Sequence, residues 1–353
     1  MVNPPEPQGD QIVTSLSGES AATSRPTMKD VAALAGVGLK TVSRVVNGER
    51  NVSEAMRERV LHAASSLHYQ LDERAAMLKR ANSRTNTLGL LLSSVGNAFD
   101  SKVHAAVERV ANEHGMVTFA ASSDDEPATE LSRINAFLQR RVDGLILTTS
   151  RDDHSHLAPE RARGLPVVFV DRLPRGITAD VVRSDNVGGA VTATRQLWDH
   201  GHRRIAFLGD LEPLPTMQER RDGFRQVAGG VTGCTELTDL RTEEQALRAT
   251  LELLDGSEPP TALLAARNTI CVGTIRALQQ RGRQHDVALI GFDDLEMADL
   301  IVPGVSCVVQ DTDRIGALAA QRFVARLAGW DDPATVTDLP TRLVRRGSGE
   351  IPA

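Results

Sequence analysis

From Thr87 onward the chain repeats one pattern, a short apolar run followed by a stretch of helical periodicity. The apolar runs fall at Leu88–Leu92, Val117–Ala121, Leu145–Leu147, Val167–Val170, Ile205–Leu208, Ala262–Ala265 and Val287–Phe292. Between them lie helical patterns, at Ser101–Glu113, Leu131–Arg140, Asn186–His200, Glu243–Leu254 and Cys271–Gln280 among others. Strands that are apolar throughout are covered on both faces, and helices placed between them let neighbours run parallel. The pattern predicts doubly wound parallel sheets, covered on both faces; two such sheets with a cleft between them would give ligands a place at the carboxyl ends of the strands. No GxGxxG follows the first run, so a dinucleotide cofactor is not expected, and no other cofactor is.

At 353 residues the chain is too long for one ordinary domain. Its net charge of -6 argues, read globally, against a nucleic-acid partner. The charge is uneven, however. Residues 27–84 hold ten bases against six acids, a surplus of about +4, which leaves about -8 on the segment that follows. Three of the four lysines, Lys29, Lys40 and Lys79, lie in this basic head. Cys234, Cys271 and Cys307 form no CxxC pair, which fits a reducing cytoplasm better than a disulfide framework. No apolar run approaches the roughly 20 residues that span a bilayer, and no membrane partner is expected. Residues 1–26 have neither the basic nor the apolar region of a signal peptide and read as a disordered tail.

The head reads as three short helices. Thr27-Met28-Lys29-Asp30 has the form of a capping box, with Val31, Leu34 and Ala35 as the apolar face behind it. After the turn Gly36-Val37-Gly38 a second helix runs from Leu39 to Asn47, with Val42, Val45 and Val46 inward and Lys40, Thr41, Ser43 and Arg44 largely outward. A third begins at the cap Ser53 and runs to about Leu67, with Met56, Val60, Ala64 and Leu67 as its apolar face. Two helices joined by a tight glycine turn, the second one polar outside, satisfy the geometry of a helix-turn-helix. A solvated helix in a small bundle fits the charges equally well.

The words themselves go further. Thr27-Met-Lys-Asp-Val-Ala-Ala-Leu-Ala-Gly-Val-Gly-Leu-Lys-Thr-Val-Ser-Arg-Val-Val-Asn-Gly closely resembles the amino-terminal signature of the lactose/galactose-repressor (LacI/GalR) family, as does Val52-Ser53 through Arg57-Glu58-Arg59-Val60. The resemblance implies a head at 27–70 that binds double-stranded, near-palindromic operator DNA. Leu39 and Lys40 would choose operator bases and Arg44 would be the more constant reader. Thr41, Ser43, Asn47, Asn51, Ser53 and Tyr69 would hold phosphates or brace the head. Residues 71–86 would form a hinge helix and linker in which Ala75, Leu78 and Lys79 meet the minor groove, Leu78 as a wedge that unstacks and bends the duplex. Gly38 departs from the usual Ser, and Met56 from a usual Thr.

Arg141-Val-Asp-Gly-Leu-Ile-Leu, Pro166-Val-Val-Phe-Val-Asp-Arg, Gly201-His-Arg-Arg-Ile-Ala-Phe-Leu-Gly, Arg220-Arg-Asp-Gly-Phe and Ile290-Gly-Phe-Asp-Asp sit in family order, so the resemblance covers nearly all of residues 27–347. It implies a core at 87–347 similar to periplasmic sugar-binding proteins, its two subdomains crossed near Asp171, Gln310 and Asp338, with 348–353 as a tail. The effector positions would be Asn97, Phe99, Asp100, Asp171, Arg172, Thr216, Arg220, Arg267, Asn268 and Asp293. Carboxylates and arginines in one cleft suit the vicinal hydroxyls of a sugar. Asp100 stands where an aromatic often stacks, and Arg267-Asn268 replaces the usual Asn-Asp. The added Arg267 with Arg220 suggests an anionic effector, such as a sugar phosphate or sugar acid. The implied protein is a cytoplasmic repressor, a homodimer or a higher oligomer, controlled by a small sugar-like effector and not an enzyme; a sugar receptor without operator activity is the alternative.

Overall fold

The computed structural model describes residues 26–46, 52–69 and 84–353. Two units divide the chain at Ser83/Arg84. In the first, helix α1 (Met28–Ala35) begins at the expected capping box, where the Thr27 N–H donates to Asp30 Oδ2 at 2.7 Å and the Asp30 N–H to Thr27 Oγ1 at 3.4 Å. It ends at Gly36, whose φ of 62° is left-handed and favours glycine. Helices α2 (Leu39–Val46) and α3 (Glu54–Ser66) follow. Arg59 on α3 donates to the Ala35 carbonyl at 2.6 Å, satisfying a carbonyl that the end of α1 leaves without a helical partner.

The core of this unit is Val31, Ala32, Ala35, Val42, Val45, Val60 and Ala63. Two of the expected faces need correction. Leu34 is 56% exposed, because Val31, Ala32 and Ala35 define the buried face of α1 and Leu34 lies roughly 100° round the helix from its centre. On α3, Val60 and Ala63 are fully covered while Met56, Ala64 and Leu67 sit half-buried at the margin. Ser53 is the N-cap residue of α3 but its side chain makes no capping hydrogen bond. Asn47, Asn51, Ala75, Leu78 and Lys79, with the expected tail 1–25 and most of the hinge, lie outside the described residues.

The second unit holds two six-stranded sheets of matching order. One runs β11-β5-β4-β3-β1-β2 and the other β12-β10-β9-β8-β6-β7. Their strands are β1 (Thr87–Leu92), β2 (Val117–Ser122), β3 (Leu145–Leu147), β4 (Val167–Val170), β5 (Asp180–Ser184) and β11 (Val336–Leu339) in the first lobe. The second has β6 (Ile205–Leu208), β7 (Thr235–Leu237), β8 (Ala262–Ala265), β9 (Ala288–Phe292), β10 (Ser306–Val309) and β12 (Arg342–Val344). All pairs are parallel except β10 with β12. Strands β3, β4, β6, β8 and β9 are buried along their whole length, which is why they are apolar without alternation.

The helices are α4 (Ala98–Glu113), α5 (Pro127–Gln139), α6 (Ala158–Ala162), α7 (Asn186–Asp199), α8 (Pro215–Ala228), α9 (Glu243–Leu254), α10 (Asn268–Gln280) and α11 (Thr312–Leu327). The chain first leaves the first lobe at Asp185, between β5 and α7, and not near Asp171. The turn at Asp171 leads back into the same sheet, its N–H bonding the Val182 carbonyl at 3.0 Å. The second crossover is at Gln310–Asp311, near the expected place, and the third falls at 340–341, just after Asp338 in β11. Residues 348–353 are no loose tail. Ser348 is buried and its Oγ accepts from the Ser306 N–H at 2.9 Å, while His202 Nε2 meets the Ile351 carbonyl at 2.8 Å.

Glycines let helices approach closely on these lobes. A Cβ on Gly223 of α8 would sit 2.4 Å from the Val187 carbonyl of α7 and 2.8 Å from Ala190 Cβ, and Gly316 and Gly273 meet the neighbouring helices α4 and α9 in the same way. Gly223 is the glycine of the Arg220-Arg-Asp-Gly-Phe word, and its helix carries Thr216 and Arg220. Gly223→Ala is expected to cost about 1–3 kcal/mol by overpacking, measured by chemical denaturation of the full chain.

Candidate functional site

Each unit presents its own candidate surface. On the head, α2 leads with Leu39, 47% exposed, and Lys40, also exposed, while Thr41, Ser43 and Arg44 are half-buried on the flanks of Val42 and Val45. Gly38 caps the start, its carbonyl accepting from Thr41 and Val42. A Cβ there would meet nothing within 4 Å, so the departure from Ser is not enforced by packing. Ser53 is exposed at the start of α3, and Tyr69 packs half-buried against the head core. An exposed helix start with a small apolar and a basic side chain is the form in which a recognition helix reaches base edges and phosphates.

The second surface is a cleft between the lobes, about 390 Å³ in volume with the part open to solvent included. It is lined by Ser93, Asn97, Phe99, Asp100, Asp171, Arg172, Asp210, Thr216, Arg220, Arg267, Asp293 and Gln310. Nine of the ten expected positions line it. The tenth, Asn268, exchanges amide hydrogen bonds with Asn97 from across the cleft, at 2.9 and 3.2 Å. Most of these residues sit just beyond strand ends because parallel strands with crossover helices bring their carboxyl ends to one side. Asp171 after β4 and Asp293 after β9 hold equivalent places in the two lobes, and both take left-handed φ, 67° and 71°. Such backbone costs free energy in a non-glycine residue and clusters at functional sites.

Its charges are densely paired. Arg172 Nη1 donates to Asp125 Oδ1 at 2.6 Å and to the Thr149 carbonyl at 3.0 Å, and Nε lies 3.5 Å from Asp171 Oδ2. Arg220 donates to Asn186 Oδ1 at 2.9 Å and the Ala266 carbonyl at 2.7 Å, lies over the Phe292 ring at 3.8 Å, and stands 3.9 Å from Asp293. Arg267 donates to Asp210 at 2.6 Å, and Gln310 Nε2 to Asp293. Burial raises the Asp171 carboxyl against the pull of Arg172 and Arg220. Burial alone works against the Arg172 charge, but Asp125 and Asp171 outweigh it and hold the guanidinium more firmly protonated than usual.

Ser93, Asp125, Asp210 and Gln310 were not among the expected effector positions. Asp210 and Ser93 follow strand ends, a signal readable once β1 and β6 are assigned; Asp125 reaches the cleft through partners such as Arg172, which no spacing reveals. His202 has no part in the cleft. It is buried between Thr261 and the Ile351 carbonyl as a structural residue.

Residues 27–72 match the family of bacterial regulatory proteins of the lacI type, and residues 194–349 a periplasmic binding protein-like domain. The ribose operon repressor of Escherichia coli (strain K12) is 32% identical over 330 residues, covering 91% of this chain and 99% of its own. The chain belongs to the LacI family. Members of this family are DNA-binding transcription regulators and not enzymes. A crystal structure of the Lac repressor dimer bound to operator and the anti-inducer ONPF is 26% identical, with a TM-score of 0.78 over 92% of this chain and 99% of that one. A complex of the transcriptional regulator CelR with cellobiose is 31% identical, with a TM-score of 0.65 over 92% and 100%. The head-plus-two-lobe architecture is thus that of a LacI-type regulator. No helix of the described residues is long and apolar enough to cross a membrane.

In this LacI-family core one acid stands out. Asp100, 3% exposed, accepts from the Ser94 N–H at 2.9 Å, yet burial, reinforced by Asp171, pushes its carboxyl up to about 7. Between about pH 4 and pH 7 the folded chain therefore holds a proton that the unfolded chain releases, and Asp100 favours folding less as pH rises through that window. Asp100→Asn is expected to gain stability relative to the parent by about 1–3 kcal/mol between about pH 5 and pH 8, measured by denaturation at both.

Proposed function

We propose that this regulator is a homodimeric repressor whose affinity for a near-palindromic operator is set by a small effector, a sugar or sugar derivative, bound in the interlobe cleft. The observation that carries the reading is the convergence in that cleft of buried acids, arginines and amides from both lobes. Its likeness to a ribose operon repressor and to a regulator in complex with cellobiose supports a carbohydrate. Asn97–Asn268 and Arg241 with Glu126 bridge the lobes, at 2.9 and 3.1 Å, so a ligand that alters their separation has contacts through which to shift the core between two states. DNA and effector affinities are then reciprocally coupled.

Within the head, Leu39, Lys40 and Arg44 read bases, while Thr41, Ser43, Asn47, Asn51, Ser53 and Tyr69 fix register on phosphates. Ala75, Leu78 and Lys79 enter the minor groove. The protein works in the cytoplasm, at the nucleoid. Met297, Leu300 and Val302, 65%, 73% and 72% exposed around one loop of the second lobe, support dimerisation, since apolar side chains so clustered favour burial against a partner. Paired heads match a palindrome by symmetry.

Two measurements test this. Arg44→Ala should cost about 1–3 kcal/mol on the selected operator and relax its specificity, with a smaller loss on random DNA; equal losses on both would remove Arg44 from base reading. Leu300→Glu should shift the protein to monomer in sedimentation and weaken operator binding at least about tenfold.

A further inference from the structure

The hydrogen-bonding capacity left over in the cleft is lopsided. Asp100 Oδ1, Asp171 Oδ1 and Gln310 Oε1 are buried oxygens with no hydrogen-bond partner; Arg172 Nε, 3.5 Å from Asp171 Oδ2, likewise makes no hydrogen bond. Every such group costs free energy until something satisfies it. The arginines, by contrast, are already engaged by Asp125, Asn186, Asp210 and backbone carbonyls. Counting direct partners, the cleft holds Asp100, Asp125, Asp171, Asp210 and Asp293 against Arg172, Arg220 and Arg267.

We propose that Asp100 is a specificity-determining residue that, with Asp171, makes this cleft select an uncharged polyhydroxyl ligand donating two hydrogen bonds, and reject phosphorylated or carboxylated sugars. This rests on the reading of the cleft as the effector site. A hydroxyl donates one hydrogen bond and accepts others, so adjacent hydroxyls satisfy the Asp100 and Asp171 oxygens while a ring or hydroxyl oxygen accepts from Arg172 Nε. Once Asp100 is ionised, above about pH 7, a phosphate or carboxylate offers acceptors to a site short of donors and adds negative charge where acids outnumber arginines. The two acids come from one lobe, Asp100 from the first turn of α4 and Asp171 from the turn after β4. Asp171 adds to the burial that raises the Asp100 carboxyl, which a donor lying between them relieves. Phe99 is the aromatic among the lining residues, so selection rests on hydroxyl placement more than on stacking. Arg267, one of the two arginines behind the anionic effector that the sequence suggested, is paired with Asp210.

The experiment is thermal shift and calorimetric titration, at about pH 8 where Asp100 is ionised, of the full-length protein with D-ribose, D-glucose and D-galactose, each beside its phosphate ester and its aldonic acid. Stabilisation by a neutral sugar, at least about tenfold tighter than its ester or acid, is expected. Asp100→Asn replaces an acceptor with a donor at constant size. It should weaken the neutral sugar at least about tenfold and narrow the gap to the ester, a change of preference that mere loosening of the fold does not give. Its ligand-free melting curve checks that it folds. Tighter binding of the ester or acid, or an unchanged preference in Asp100→Asn, overturns the proposal. Thr216→Trp, which fills the cleft, separates the two readings. An anionic ligand lost in that variant overturns only the role of Asp100, whereas a sugar that still binds overturns the cleft as effector site.

Discussion

Parallel strands need a crossover between each pair, and everything functional in the larger unit depends on that requirement. A crossover helix returns the chain to the start of the next strand, so all carboxyl ends of a sheet gather on one side. Both lobes obey it, with matching strand order and the antiparallel edge strand β12 as the exception, and the chain passes between them three times. Loops after β1, β4, β6, β8 and β9 are thereby brought to one cleft although they lie up to some two hundred residues apart. The left-handed turns at Asp171 and Asp293 are the same device used twice, once in each lobe.

Bringing so many polar side chains together under cover raises a second physical demand. A charge removed from water must be matched, and here the matching is done largely within the protein. Arg172 is secured by Asp125, Arg267 by Asp210, and Arg220 by Asn186, a carbonyl and the face of Phe292. The fixed pairs hold guanidinium groups in place before any ligand arrives, which lowers the entropy lost on binding. What remains unsatisfied is a small set of oxygens, and it is this remainder, more than the count of charges, that describes the ligand.

Much of this was legible beforehand. The apolar runs placed the central strands closely, since burial on both faces leaves a strand no polar position. Strands with polar positions were missed for the converse reason. Strands β5, β7, β11 and β12 carry Asp180, Glu236, Asp338 and Arg342, and their pattern does not distinguish them from loops. Helices α8 and α11 went unassigned because α8 is rich in charge and α11 begins among polar residues. Leu34 was misplaced on a helix of two turns, where a few degrees decide which side chain is inside. The effector positions were found because family words surround them, while Asp125 and Asp210 were passed over because their roles are partnerships with arginines distant in sequence.

The sequence by itself determined the family, the three-helix head, the alternation that demands parallel sheets and the basic surplus confined to residues 27–84. These are properties of short words and periodicities, which local chemistry fixes. Only the tertiary structure decided where the lobes exchange strands, that residues 348–353 belong to the second lobe, and which arginines are already spoken for. The charge of Arg267 can be read from one letter. Its meaning depends on Asp210 standing 2.6 Å away, and a contact between residues 57 positions apart exists only once both strands have been laid side by side.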